Sequence, residues 1–294
     1  MATKPRMAST VILIREHDGE LQVYLLKRST KSGFFPGTYV FPGGRVDTED
    51  RASGLWKAYV DLDIKEIFQR FGGSLTEEEA LAYGVTAIRE TFEEAGVLLA
   101  YRSEYTLENL ARIQDRRRVE KLPKVWLNDL VISEGWMLAF SRLTRWAHWI
   151  TPKGMPKRYE TRFFLVFIHS GEECNPDARE TTHGIWVSPE KGLVKNLQGK
   201  IPLSPPTLVT LHELLLYSDI RDLKKEVQTR TWGKALLPRM FNLPTGKLIL
   251  EPWDPMSKKE FEIDTKGLEM NCLPVGEPFS RLWYNEGIWR PVGC

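Results

Sequence analysis

The chain has 294 residues, 42% of them hydrophobic and 27% charged, with a formal net charge of +2. That length buries a sizeable core, in one large domain or one domain with an appendage, and the near-balanced charge gives no general pull towards nucleic acid or a membrane surface. No apolar run is long enough to span a bilayer. Three scattered cysteines (Cys174, Cys272 and Cys294) lack metal-ligand spacing, so a reducing, cytoplasmic setting is the expectation. The short basic start, Met1 to Arg6, lacks the apolar core of a signal peptide, and the final Arg290 to Cys294 is not a Ser-Lys-Leu-type address.

Taken in order, Ser9 to Ile14 is β-branched and apolar and reads as a buried strand, followed by a turn at His17 to Glu20 and a return strand from Leu21 to Leu26. A loop with Phe34 and Phe35 at its tip leads to a short strand, Tyr39 to Phe41, which delivers the turn Pro42-Gly43-Gly44. Two glycines let backbone approach a ligand closely, and a bare carbonyl there can bind a metal. Leu62 to Phe71 has apolar residues at helical spacing and ends at Gly72-Gly73. Thr76 and Glu79 form a capping box for a second helix, which either runs through to Gly96 or breaks near Gly84. Leu107 to Leu122 reads as an exposed helix whose Arg116-Arg117-Arg118 is a solvated face between Asp115 and Glu120. A further helix covers Trp126 to Leu138, and strands follow at Trp146 to Thr151, Phe163 to Ile168 and Gly184 to Ser188. Pro205-Pro206 opens a core helix to Tyr217, and another spans Asp219 to Gln228. Residues 229–294, rich in Pro, Gly and Trp, hold strand-like runs at Lys247 to Leu250 and Glu260 to Ile263 and no catalytic motif. They are expected to pack on the main domain or to build a homodimer contact.

The stretch that carries chemistry is Arg89-Glu90-Thr91-Phe92-Glu93-Glu94-Ala95-Gly96-Val97. On a helix Glu90, Glu93 and Glu94 share one face, and like charges at that spacing destabilise a bare helix by a few tenths of a kcal/mol, roughly, per pair. A cation offsets that cost, and hard oxygen ligands favour Mg²⁺ or Mn²⁺ over zinc. A solvated acidic helix face is the alternative, weakened by the Gly-Gly turn upstream.

Together the turn and the cluster resemble the Nudix box: a glycine, five residues, a glutamate, seven residues, then R-E-U-x-E-E-x-G-U with U aliphatic. Arg89 to Val97 matches the second half except at Thr91, and Gly44 fits the opening glycine. Asp50 stands where the pattern has Glu, and about 31 residues are inserted before Arg89. This split box, with Trp149-Ile150-Thr151-Pro152 and Arg158 to Phe164 downstream, resembles the Nudix subfamily of the peroxisomal coenzyme A diphosphatase and its bacterial relatives, over roughly residues 8–220. The resemblance implies an α/β fold: a Nudix α/β/α sandwich on a mixed sheet in residues 1–228, a helical insertion at 50–75 and a C-terminal extension at 229–294. It also implies hydrolysis of a nucleoside diphosphate linked to another moiety, with coenzyme A and acyl-CoA leading, and ADP-ribose, NADH or a nucleotide sugar as the alternative. A non-catalytic nucleotide-binding module is a further alternative, disfavoured because all three box glutamates are present.

Carried onto this chain, the metal set is Gly44, Glu90, Glu93 and Glu94, with Glu93, Glu94 or Glu180 as the carboxylate that takes the proton. Arg28, Arg158 and Arg162 are the substrate-binding candidates, because a guanidinium fork matches phosphate oxygens. Arg89, Gly43 and Gly96 are structural members of the box. The expected partner is a small nucleotide conjugate, with no nucleic acid and no membrane.

Overall fold

Strand β1 (Arg6–His17) alternates its side chains between two apolar layers: Val11 and Leu13 enter one, Ile12 and Ile14 the other. A strand buried on both faces must sit inside a sheet with a layer on each side, and that is its place in this computed structural model, which describes residues 3–102, 107–119, 122–169, 171–176, 181–258 and 270–293. β2 (Glu20–Arg28) returns antiparallel to β1, followed by β3 (Tyr39–Val40) and β4 (Gly43–Arg45). Short helices α1 (Ser53–Trp56) and α2 (Ile64–Phe71) precede the long helix α3 (Glu77–Ala95). β5 (Ala100–Tyr101), α4 (Leu107–Val119), α5 (Trp126–Glu134) and β6 (Met137–Leu138) follow. β7 (Thr144–Ile150), β8 (Tyr159–Phe167) and β9 (Thr181–Val187) complete the seven-stranded mixed sheet, in the order β3-β2-β1-β8-β7 with β4 on β1 and β9 on β2. The parallel pair β1–β8 forms its centre.

Helix α3 covers one face together with α2 and α5. Helices α6 (Pro189–Leu197), α7 (Pro205–Leu214) and α8 (Ile220–Thr229) lie on the chain's other apolar layer. This is the α/β/α sandwich expected from the sequence. The capping box Thr76–Glu79 is formed, and α3 continues without a break through Gly84. Glycine is needed there for packing: a Cβ would lie 2.3 Å from the ring of Phe140.

The insertion after the Gly-Gly turn is helical, as expected, but Asp50 at its start belongs to the site described below. Residues after α8 form an antiparallel sheet of β10 (Arg239–Leu243), β11 (Gly246–Leu250), β12 (Arg281–Asn285) and β13 (Ile288–Val292). Its Ile249, Leu282 and Trp289 share the apolar layer of α7 and α8, so the extension packs on its own domain. The strand expected at Glu260 to Ile263 lies outside the described residues.

Candidate active site

The last two turns of α3 face the β4 turn. A Cβ on Gly44 would lie 2.3 Å from Glu90 Oε1, so only glycine leaves room for the carboxylate at that backbone. Gly43 N–H donates to Glu94 Oε2 at 2.8 Å. Gly96, at φ +76°, ends α3 with its N–H donating to the carbonyl of Phe92.

Arg89 is the hub. Its Nε and Nη2 donate to the two oxygens of Asp50 at 2.9 and 2.8 Å, and Nη2 also reaches Arg45 O at 3.0 Å. Nη1 donates to Glu90 Oε1 at 2.8 Å and to Glu93 Oε2 at 3.0 Å. Asp50 is fully buried and accepts further bonds from Thr86 Oγ1 and Asp47 N–H. Asp50 therefore takes the place of the glutamate that the box pattern calls for: one methylene shorter, it still meets Arg89 in a two-point fork. The other oxygen of Glu93 accepts from the indole N–H of Trp126 on α5 at 2.6 Å.

Burial opposes the Arg89 charge, but Asp50, Glu90 and Glu93 outweigh it and hold the guanidinium above its usual pKa. Burial pushes the Glu90 carboxyl up to about 7 against the pull of Arg89, and Glu93 adds to the rise. Burial also raises Glu93, opposed by Arg89 and Trp126. Asp50, Glu90, Glu93 and Glu94 thus gather more negative charge around Arg89 than that one guanidinium neutralises.

These groups open into a cavity of about 590 Å³, within the range of small-molecule sites. Gly43, Gly44, Glu90, Glu93 and Glu94 line it, and so do Arg28, Arg45, Arg117 and Lys124. The Phe34–Phe35 loop, β7, β8 and the C-terminal extension add aromatic and apolar side chains to the lining, with Thr151, Thr161, Ser204 and Thr207 among them. The donor set fits a hard divalent ion: oxygen ligands, excess negative charge and a glycine cradle beside Glu90. In the arrangement seen, each carboxylate turns an oxygen to a protein donor, and among the described residues no three acidic or His/Cys side chains converge on one point.

The structure brings Gly43, Gly44, Arg89, Glu90, Glu93, Glu94 and Arg28 to one cavity. It does not bring Arg158 or Arg162 there. Arg158 donates to the carbonyls of Thr151 and Thr3, and Arg162 is buried beneath Trp232 and Tyr83 with Ser74 as its partner. On β8, Arg162 shares a face with Phe164, while Tyr159, Thr161 and Phe163 point to the cavity side. Glu180 lies outside the described residues.

Asp50, Trp126 and Arg117 were missed as site residues. Arg117 is not part of a solvated face: it is 2% exposed and donates to the carbonyls of Phe92 and Asn175. Its spacing of four from the buried Ile113 was the available signal.

A family model described as the NUDT19 Nudix domain matches residues 6–214. Acyl-coenzyme A diphosphatase NUDT19 of Homo sapiens is 30% identical over 89% of this chain and 80% of its own length. Acyl-coenzyme A diphosphatase NUDT19 of Xenopus laevis is 28% identical over 93% of this chain and 83% of its own. Among solved structures, a NUDIX hydrolase from Alicyclobacillus acidocaldarius superposes with a TM-score of 0.59 at 23% identity, over 79% of this chain and 99% of that one, which supports the fold.

Proposed function

The chain belongs to the Nudix family, in its NUDT19 group, and on that premise we propose that it hydrolyses the diphosphate of coenzyme A and acyl-CoA, with Mg²⁺ or Mn²⁺, to 3′,5′-ADP and (acyl-)phosphopantetheine. The observation that carries the reading is the convergence of Glu90, Glu93, Glu94 and the Gly43–Gly44 turn on one cavity, framed by Asp50 and Arg89. The relatives are acyl-coenzyme A diphosphatases by name, and that supplies the substrate class of the proposal.

Glu90, Glu94, Glu93 and the Gly44 carbonyl would hold the cation. A divalent ion held there would neutralise diphosphate charge and lower the pKa of water, so that hydroxide is available as the nucleophile near neutral pH. Glu93 is assigned the proton: its side chain is 30% exposed against 13% for Glu90, and its burial-raised pKa moves it towards the working range of a general base. Arg89 touches no substrate in this account; it fixes Glu90 and Glu93 relative to each other. Arg28, Arg45 and Lys124 line the cavity and supply cationic partners for phosphates beyond the metal. A cytoplasmic location is kept as part of the proposal, supported by the free Cys174 and Cys272. Among the described residues no helix is long and apolar enough to cross a membrane.

The test is a substrate panel of CoA, acyl-CoAs, ADP-ribose, NADH and nucleotide sugars with Mg²⁺ or Mn²⁺, read by mass spectrometry. The reading expects CoA esters to have the highest kcat/KM. A higher value for ADP-ribose or NADH would reassign the substrate.

A further inference from the structure

We propose that the C-terminal sheet forms the wall of the pocket that holds the acyl chain at the uncharged end of the substrate, and so sets acyl-chain selectivity. The proposal rests on the diphosphatase reading for the identity of the substrate, and extends it to a segment that the Nudix match, ending at residue 214, does not include.

Four residues of the extension, Pro238, Met240, Ile249 and Trp289, line the same cavity as the box glutamates, and Trp149 and Phe163 of the main sheet line it too. The sheet register explains why. Met240 pairs with Ile249 and Ile249 with Leu282, so these side chains share the face turned to the main domain. The opposite face, with Leu248, Leu250 and Val292, is covered by its own small apolar cluster.

The wall is fastened at the rim of the cavity. Leu236 N–H donates to His148 O at 2.7 Å and Ile150 N–H to Leu236 O at 2.8 Å, so the extension begins by joining the edge of β7 on either side of Trp149. Asn196, buried on α6, donates to Trp289 O at 2.8 Å and accepts from Leu203 N–H at 2.9 Å, tying β13 to the segment that leads into α7.

The chemistry of the wall selects which part of a CoA ester it fits. Its four residues contribute no charged side chain to the cavity, while the cations Arg28, Arg45 and Lys124 come from other elements. Phosphates placed against the wall would lack partners. A nucleobase would stack on Trp289 but leave its edge donors and acceptors unpaired against Met240, Ile249 and Pro238, and the amides and hydroxyl of the pantetheine arm would be left unpaired there likewise, at a cost for each. An alkyl chain carries no such groups and gains from burial.

The test uses the purified full-length protein, kcat/KM for CoA, acetyl-, octanoyl- and lauroyl-CoA, and calorimetric binding of octanoyl-pantetheine, which has the tail without the diphosphate. Each fully buried methylene favours binding by up to about fourfold, so wild-type kcat/KM should rise at least about tenfold from CoA to octanoyl-CoA. Met240→Trp should lower the octanoyl-CoA to CoA ratio and octanoyl-pantetheine affinity about tenfold each. Met240→Ala, a truncation at a half-buried position, should shift the preference towards lauroyl-CoA. Thermal melts establish that each variant is folded; if Met240→Trp is not, Met240→Ala decides. Unchanged chain-length preference in a folded variant, or equal loss on CoA and octanoyl-CoA, overturns the proposal. If wild type binds octanoyl-pantetheine and Met240→Trp weakens it, yet no CoA ester is cleaved, the tail site stands and the diphosphatase reading falls.

Discussion

Asp50→Ala tests the frame that holds the glutamates. Asp50 is 2% exposed and receives both arms of the Arg89 fork, at 2.8 and 2.9 Å. Removing one partner of a buried ion pair costs about 3–5 kcal/mol, because the other charge is left uncompensated. Here Arg89 keeps Glu90, Glu93 and the Arg45 carbonyl. The lower end, about 3 kcal/mol, is therefore expected, corresponding to a Tm fall of about 6 °C for a chain of this size. Asp50→Asn keeps the shape and loses only the charge, so it should cost less. Urea unfolding and differential scanning calorimetry measure the loss, and steady-state kinetics on the CoA ester should show kcat falling, because the same guanidinium spans Glu90 and Glu93. A loss under about 1 kcal/mol with normal kcat would refute the argument that Asp50 anchors Arg89.

Two further outcomes follow from individual carboxylates. Glu94→Gln can still accept from Gly43 N–H through its amide oxygen, so Tm should hold while kcat drops by two or more orders of magnitude, as expected when charge stabilisation of several kcal/mol is lost; near-normal turnover with Mg²⁺ would sink the metal-site assignment. Glu251, fully buried beside the C-terminal sheet with neither carboxylate oxygen hydrogen-bonded, has its carboxyl pushed up to about 8 by burial. A carboxyl that keeps its proton longer in the folded state loses stability as pH rises from its unfolded value towards the folded one, here from about 4.5 to about 8. Glu251→Gln should therefore be near neutral at pH 5 and stabilise by up to about 5 kcal/mol at pH 9; a pH-independent difference in unfolding free energy would contradict this.

What was legible in the sequence was what short-range physics fixes. The Thr76–Glu79 cap, the left-handed end at Gly96 and the common face of Glu90, Glu93 and Glu94 all depend on residues within one or two turns. The double-sided burial of β1 was equally readable from its apolar run. Contacts across the fold were not. Asp50 meets Arg89 over 39 positions and Trp126 meets Glu93 over 33; the box spacing from Gly44 marked the position of Asp50 but not its partner, and no local pattern marked Trp126. Arg162 was placed at phosphates by its motif, but strand parity sends it to the layer opposite Phe163, under Trp232. The extension showed no catalytic motif because its contribution to the cavity is an apolar surface, which reads like any core strand.

The most direct measurement of the central claim is the identity of the products. Wild-type protein incubated with octanoyl-CoA and Mg²⁺ or Mn²⁺ should release 3′,5′-ADP and octanoyl-phosphopantetheine in equal amounts by mass spectrometry. The reaction should stop with EDTA and return when excess divalent ion is restored. Intact octanoyl-CoA after prolonged incubation, or cleavage at the thioester in place of the diphosphate, would contradict the account.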